Sequence, residues 1–286
     1  MAEQGFHITS LETILENLVK DIKSRGHSPE LPTGLERLDN KIWGLHRGEV
    51  CIIGGRPSEG KSALAMQMAH NISDMHKRVV FVSLEMTKEQ LMERLFCSLM
   101  DIDSWDLRTG KLPEHFEEKL KTFTSLLENK PMRIFDMYGY EYKQIEQIID
   151  ALPHPPDALF LDYIQLISPD GGDPREAMVN YLRQMKALAM RRNMAVVICS
   201  QLNRTTLAGK SAKPELHHLK QTGALEEVAD CVLLTWWKTM EDDPEDAKTD
   251  YVIRIAKQRH GPVCDVTVKF LPNRFRFTDS PRDDKF

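Results

Sequence analysis

Hydrophobic positions along this chain follow two periods in turn. Short runs rich in Val, Ile, Leu and Phe at 49–54, 78–84, 132–135, 158–162, 194–199 and 231–236 read as buried strands. Between the earlier runs, apolar residues recur at helical spacing and predict helices over 60–74, 87–100, 141–151 and 176–191. Strands alternating with helices predict an α/β fold with a mostly parallel sheet covered on both faces. Three further strand-like runs, at 250–257, 263–270 and 274–278, have no helix between them and predict an antiparallel edge. The acidic stretch 241–246 reads as a solvated hairpin loop.

The N-terminal segment has its own pattern. Ile8, Leu11, Ile14, Leu15, Leu18, Val19 and Ile22 form an apolar stripe, and Glu12, Glu16, Lys20, Asp21 and Lys23 fill the other face. Ser10 is placed to cap this helix and Arg25–Gly26 to end it. The stripe fits packing on the chain's own domain and docking on a neighbouring subunit equally well.

Composition narrows the class. With 286 residues, 41% hydrophobic and 28% charged, the chain is an ordinary globular protein. Its formal charge of −5 excludes a globally basic nucleic-acid coat but allows local basic loops. Cys51, Cys97, Cys199, Cys231 and Cys264 stand far apart, with no C-x-x-C pair, and read as reduced core residues of a cytoplasmic protein. No run reaches the ~18 apolar residues of a membrane span. His217–His218 lacks companion ligands and reads as part of a loop.

The chemistry begins at Gly55-Arg56-Pro57-Ser58-Glu59-Gly60-Lys61-Ser62, a complete G-x-x-x-x-G-K-[ST] loop between a strand and a helix. That setting turns backbone N–H groups and a helix N-terminus toward a triphosphate. Lys61 is expected to reach the β- and γ-phosphates, and Ser62 to bind Mg²⁺. Two other strands end in carboxylates. Asp162 closes 158–162 and is a second candidate for Mg²⁺. Glu85 follows 78–84 and is either the group that orients the attacking water or a cap for the next helix. Gln201 ends a third strand, where it can hydrogen-bond the γ-phosphate and relay its loss to the next loop. That loop holds Lys210, Lys213 and Lys220 between glycines and is suited to nucleic-acid phosphates, although a merely solvated loop explains it as well.

Thr33-Gly34, Leu38-Asp39, Gly44-Leu45, the phosphate loop, Ser83-Leu84-Glu85-Met86, Asp162-Tyr163-Ile164-Gln165-Leu166, Ser200-Gln201-Leu202-Asn203-Arg204 and Lys257-Gln258-Arg259-His260-Gly261 occur in the order found in DnaB-type replicative helicases. From about residue 30 onward the chain resembles the RecA-like motor domain of that family. The resemblance implies a division into a linker helix and loop at 1–29 and an ATPase domain at 30–286. It implies that ATP and Mg²⁺ are the cofactors and single-stranded DNA the substrate. It also implies a homo-oligomeric, hexameric ring, a loader or primase as partner, and no membrane. Glu85 becomes the catalytic glutamate and Gln201 the γ-phosphate sensor. Lys257 and Arg259 become cations presented to a neighbour's γ-phosphate, and the N-terminal stripe becomes a helix docked on an adjacent subunit. Two loops at about 170–176 and 213–223 contact DNA in the family, which brings in Arg175, Gln221 and Gly223.

The chain also departs from the pattern. Leu219-Lys220-Gln221-Thr222-Gly223 replaces the usual Leu-Arg-Glu-Ser-Gly, exchanging a guanidinium for an ammonium and removing a negative charge. Glu59 is unusual inside the phosphate loop, and its side chain is expected to point away from the triphosphate. No segment corresponds to the family's N-terminal helical collar, as in a truncated motor or a shortened paralog. The competing reading is accordingly a DnaB-like paralog that acts as an ATP-switched DNA-binding assembly or regulatory ATPase without processive unwinding.

Overall fold

In the computed structural model, residues 10–24, 26, 28–137, 142–164, 174–202, 213–219, 227–237 and 250–279 are described. The chain runs α1 (Leu11–Ser24), α2 (Glu36–Ile42), β1 (Val50–Gly55), α3 (Lys61–Asp74), β2 (Val79–Ser83), α4 (Lys88–Met100), α5 (Ser104–Arg108), α6 (Phe116–Leu127) and β3 (Met132–Asp136). It continues α7 (Tyr142–Asp150), β4 (Ala158–Asp162), α8 (Pro174–Arg192), β5 (Ala195–Gln201), β6 (Cys231–Trp237), β7 (Asp250–Gln258), β8 (Cys264–Leu271) and β9 (Arg276–Asp279). The strands form one sheet in the order β3-β2-β4-β5-β1-β6-β7-β8-β9. Pairing is parallel from β3 to β6 and antiparallel from β6 to β9, as the spacing of the hydrophobic runs predicts.

Alternate residues of the central strands feed two cores. Ile53, Phe81, Phe160 and Val197 face α2, α3, α4 and α6. Ile52, Val80, Leu161 and Val196 face α7 and α8. Burial on both faces explains why these strands read as continuous hydrophobic runs. All five cysteines are free, three of them buried, and burial raises the Cys97 thiol to about 11. Among the described residues no helix is long and apolar enough to cross a membrane. The acidic stretch at 241–246 lies outside the described residues.

One feature differs from the sequence pattern, and one resolves an alternative it left open. Helices α2, α5 and α6 were not predicted. The start of α2 has no side-chain cap of its own, and its first N–H groups, from Glu36 and Arg37, donate to the carboxylate of Asp279. In α1, the Ser10 hydroxyl accepts the Thr13 N–H at 3.2 Å, as a cap does. Every described side chain of α1 is nevertheless exposed, so the stripe does not pack on its own domain.

Asp157 ties together the strand starts remote from the phosphate loop. It is 6% exposed and accepts from the Arg78 N–H, the Arg78 guanidinium and, at 2.8 Å, the Arg47 guanidinium. Burial works against its charge, but the bonds from Arg47 and Arg78 prevail and hold its pKa below the usual aspartate value of 3.8. A depressed carboxylate adds stability that is complete above the unfolded-state pKa and fades as pH falls through the folded one. Asp157→Asn should therefore cost about 1–3 kcal/mol at neutral pH. Urea titrations of both proteins at stepped pH should show the difference intact above pH 3.8 and shrinking below it. A gap that stays constant into strong acid would mean that the charge of Asp157 is not what stabilises these strand ends.

Candidate nucleotide site

Strand β1 is buried throughout and delivers the chain to Gly55 at the carboxyl edge of the parallel sheet. The backbone then turns through Ser58 at φ 61° and Gly60 at φ 85° into α3. Helix α3 begins without a side-chain cap and without an acidic residue in its first turn. Its leading N–H groups and positive dipole end are therefore directed at the loop, the arrangement that attracts phosphate.

Three glycines make the approach possible. A Cβ on Gly54 would stand 2.7 Å from Leu219 and 2.8 Å from Leu234. One on Gly55 would stand 2.3 Å from the Thr235 hydroxyl. One on Gly60 would stand 2.8 Å from Phe270 and 3.1 Å from Phe277, two rings stacked at 4.1 Å. The buried Tyr251 hydroxyl donates to the Glu59 carbonyl. The antiparallel strands thus form the seat of the phosphate loop as well as the edge of the sheet.

Lys61 is 8% exposed, its ammonium donates to the Arg56 carbonyl at 2.7 Å, and burial lowers its pKa. Glu59 turns back onto the loop itself. It accepts the Arg56 N–H at 2.9 Å and lies 3.8 Å from the Arg56 guanidinium, while burial raises its pKa. Asp162 is 1% exposed, and among the described residues neither carboxylate oxygen has a partner in hydrogen-bonding geometry, although the Ser62 hydroxyl and the Cys199 thiol lie close enough to favour its charge. Burial raises its pKa, opposed by the nearby Ser62 hydroxyl and Lys61 charge. A buried carboxylate with unused acceptor capacity beside a serine hydroxyl fits a hard divalent cation.

The other strand ends converge here. Ser83 lies opposite Asp162 in the β2–β4 register, and Gln201 opposite Gly55 in the β5–β1 register. Glu85 stands two residues past the end of β2. Burial and the Asp162 charge raise its pKa, while Lys61 and Arg94 lower it. Helix α4 is capped without it: Thr87 accepts the Gln90 N–H at 3.2 Å, and Gln90 accepts the Thr87 N–H at 3.1 Å. Glu85 is thus not the cap of α4, and its carboxylate lies in the field of Asp162, Lys61 and Arg94.

Arg94 is a site residue that the sequence analysis does not single out. Burial lowers its pKa, and the charges of Asp162 and Glu85 oppose that fall. Its guanidinium lies 4.8 Å from the centre of the Phe275 ring. It lines a cleft of about 380 Å³ that opens beside Ser62 between α3, α4 and β9. The one signal in the sequence was its position two helical turns after a strand-end carboxylate.

Lys257 and Arg259 lie elsewhere. Lys257 pairs in register with Val232, and the Arg259 N–H donates to the Asp230 carbonyl, level with the start of β1. At ~3.3 Å per residue the five steps to Gly55 span about 16 Å, too far for an arginine to reach its own phosphate loop. Of the expected DNA contacts, Lys213 is paired with Asp265 at 2.6 Å. Arg175 lies in the first turn of α8, its side chain outside the described residues, as are Lys210, Lys220, Gln221 and Gly223. Leu202 and Leu219 bridge the two ends of that loop beside β1. His217 and His218 hold Glu215, and among the described residues no group of three or more His, Cys, Asp and Glu side chains is placed to hold a metal.

The model of the DnaB-like helicase C-terminal domain matches residues 30–279. Replicative DNA helicase DnaC of Bacillus subtilis (strain 168) is 30% identical over 273 residues, covering 93% of this chain and 60% of that protein. Replicative DNA helicase DnaB of Rickettsia typhi is 33% identical over 295 residues, covering 91% and 59%. The chain thus spans about 60% of the length of these relatives. Among solved structures, an isolated ATPase domain superposes with a TM-score of 0.86 at 26% identity, over 96% of this chain and all of that one. A DnaB-like replicative helicase, described with its interactions with primase, superposes with a TM-score of 0.86 at 26% identity over 95% of this chain and 68% of its own.

The capping arrangement yields a direct check. Thr87→Ala should lower stability by about 1 kcal/mol. Glu85→Ala should stay within about 0.5 kcal/mol of the parent. A destabilisation by Glu85→Ala that matches Thr87→Ala in thermal melts would return Glu85 to a structural role.

Proposed function

The chain belongs to the DnaB-like helicase C-terminal domain family, and we propose that it is an ATP-hydrolysing motor that assembles with copies of itself and separates DNA strands during replication. One observation carries this reading. The phosphate loop, Asp162, Glu85 and Gln201 gather at one edge of the sheet, while Arg259 stands at the opposite edge, with Lys257 two residues before it on β7. One chain therefore holds both halves of a hydrolytic site but cannot bring them together. A closed ring, six-membered as in the family, lets each copy lend its cations to the next.

In this reading Gly55 to Ser62 cradle the phosphates of ATP, and Ser62 and Asp162 hold Mg²⁺, which neutralises charge on the phosphates when bound. Glu85 orients the attacking water, and the charges of Lys61 and Arg94 favour its ionised form against burial and Asp162. Gln201 senses the γ-phosphate and passes its state to the loop that closes at Leu202 and Leu219. Arg259, supplied in trans with Lys257, stabilises charge developing on the transferred phosphoryl group. Lys210, Lys213, Lys220, Gln221, Gly223 and Arg175 then hold the single strand by its phosphates, which predicts strong salt dependence and little sequence preference. The exposed face of α1 finds its cover on a neighbouring copy. Each of its six large apolar residues gains about 1.5–3 kcal/mol on full burial. A loader or primase is the protein partner such a motor requires, and free cysteines suit work in the cell interior.

Relatives named as replicative helicases favour a motor over an ATP-switched assembly. Arg259→Ala should still bind nucleotide and lose at least about 10³-fold in hydrolysis. Lys61→Ala should lose hydrolysis altogether. On a forked DNA with a single-stranded tail, the parent should displace a strand with ATP and Arg259→Ala should not. Hydrolysis by the parent without displacement would favour the switched assembly, and full activity in Arg259→Ala would end the shared-site reading.

A further inference from the structure

Arg259 is held in its own chain by a carboxylate that the proposed chemistry leaves unused. Asp230 is 2% exposed. One carboxylate oxygen takes the Arg259 Nε at 3.0 Å. The other takes the Val50 N–H at 2.8 Å and the Lys186 ammonium at 2.6 Å. The Asp230 N–H donates to the Val50 carbonyl and its carbonyl accepts the Arg259 N–H, so backbone and side chain bind the same two segments. Neighbours on each side of Arg259 are also fixed. Gln258 donates to the Lys41 carbonyl at 3.1 Å, and His260 lies 2.8 Å from Glu49.

We infer that Asp230 is a positioning residue that orients Arg259 for the neighbouring copy and ties it to the first residue of the strand that carries its own phosphate loop. The inference rests on the shared-site reading above. Its physical basis is geometric. Arg259 is about half exposed on a strand end, where a long side chain samples many rotamers. Asp230 restricts these by holding Nε, while about half of the side chain stays exposed. A buried carboxylate with two cations and an amide around it is a firm anchor, because removing the carboxylate leaves all three partners uncompensated. Val50 shares that anchor and lies on β1, so the arginine offered to one neighbour is mechanically joined to the loop that serves the other.

The test uses mixed assemblies. Asp230→Asn retains an acceptor for the Val50 N–H but loses the charge that holds Arg259. Alone, it should bind nucleotide within about twofold of the parent and lose about 10²-fold in hydrolysis, the scale of a 1 Å misplacement. Mixed with Lys61→Ala copies, which have no working site but carry an intact Arg259, it should regain hydrolysis, because its own sites then receive a well-placed arginine. Arg259→Ala mixed with Lys61→Ala is the reference. If that reference pair recovers and the Asp230→Asn pair does not, Asp230 acts on its own site or fold and the inference is overturned while the shared site stands. If the reference pair also fails, the shared-site reading fails and takes the inference with it. Undiminished hydrolysis by Asp230→Asn alone overturns the inference directly. Should Asp230→Asn not fold, Asp230→Glu keeps the charge, displaces the guanidinium by one methylene and enters the same mixing experiment with the same outcomes.

Discussion

The constraint on which the rest of this structure depends is the space denied to a Cβ at Gly54, Gly55 and Gly60. The phosphate loop lies so close to Thr235, Leu219, Leu234, Phe270 and Phe277 that any side chain at these glycines would displace it. Packed down in this way, the loop hands an uncapped helix start to the carboxyl edge of the sheet. Lys61, Asp162, Glu85 and Gln201 gather round that start because their strands are parallel and end at the same level. The antiparallel strands matter here as much as the parallel ones, since their aromatic side chains set the height of the loop.

The same sheet separates the chemistry it supports. Strand β7 returns antiparallel to β6, so the residues that follow it emerge beside the start of β1. Arg259 is held there by Asp230, a strand's length from its own phosphate loop. On the proposed reading, a hydrolytic site divided in this way would make turnover conditional on assembly.

Much of this was legible in the sequence, for physical reasons that can be named. Strands buried on both faces leave uninterrupted runs such as Ala158–Asp162, and the antiparallel edge followed from the missing helices. The phosphate loop was legible because its backbone demands a fixed pattern of residues. Helix α2 was not, since its cap comes from Asp279, 243 residues away. Helix α6 did carry a signal, with Phe116, Leu120, Phe123 and Leu127 at helical spacing, and went unread. Arg94 and Asp230 were opaque because burial, not residue type, gives each its meaning. Glu85 could be freed from its capping role only once Thr87 and Gln90 were seen to cap each other.

The most direct test of the account is the rate of ATP hydrolysis per chain as the protein is diluted through the point where its assemblies dissociate. A site divided between copies predicts that hydrolysis per chain collapses on dissociation while nucleotide binding persists. A monomer that hydrolyses ATP as fast as the assembled protein would contradict it.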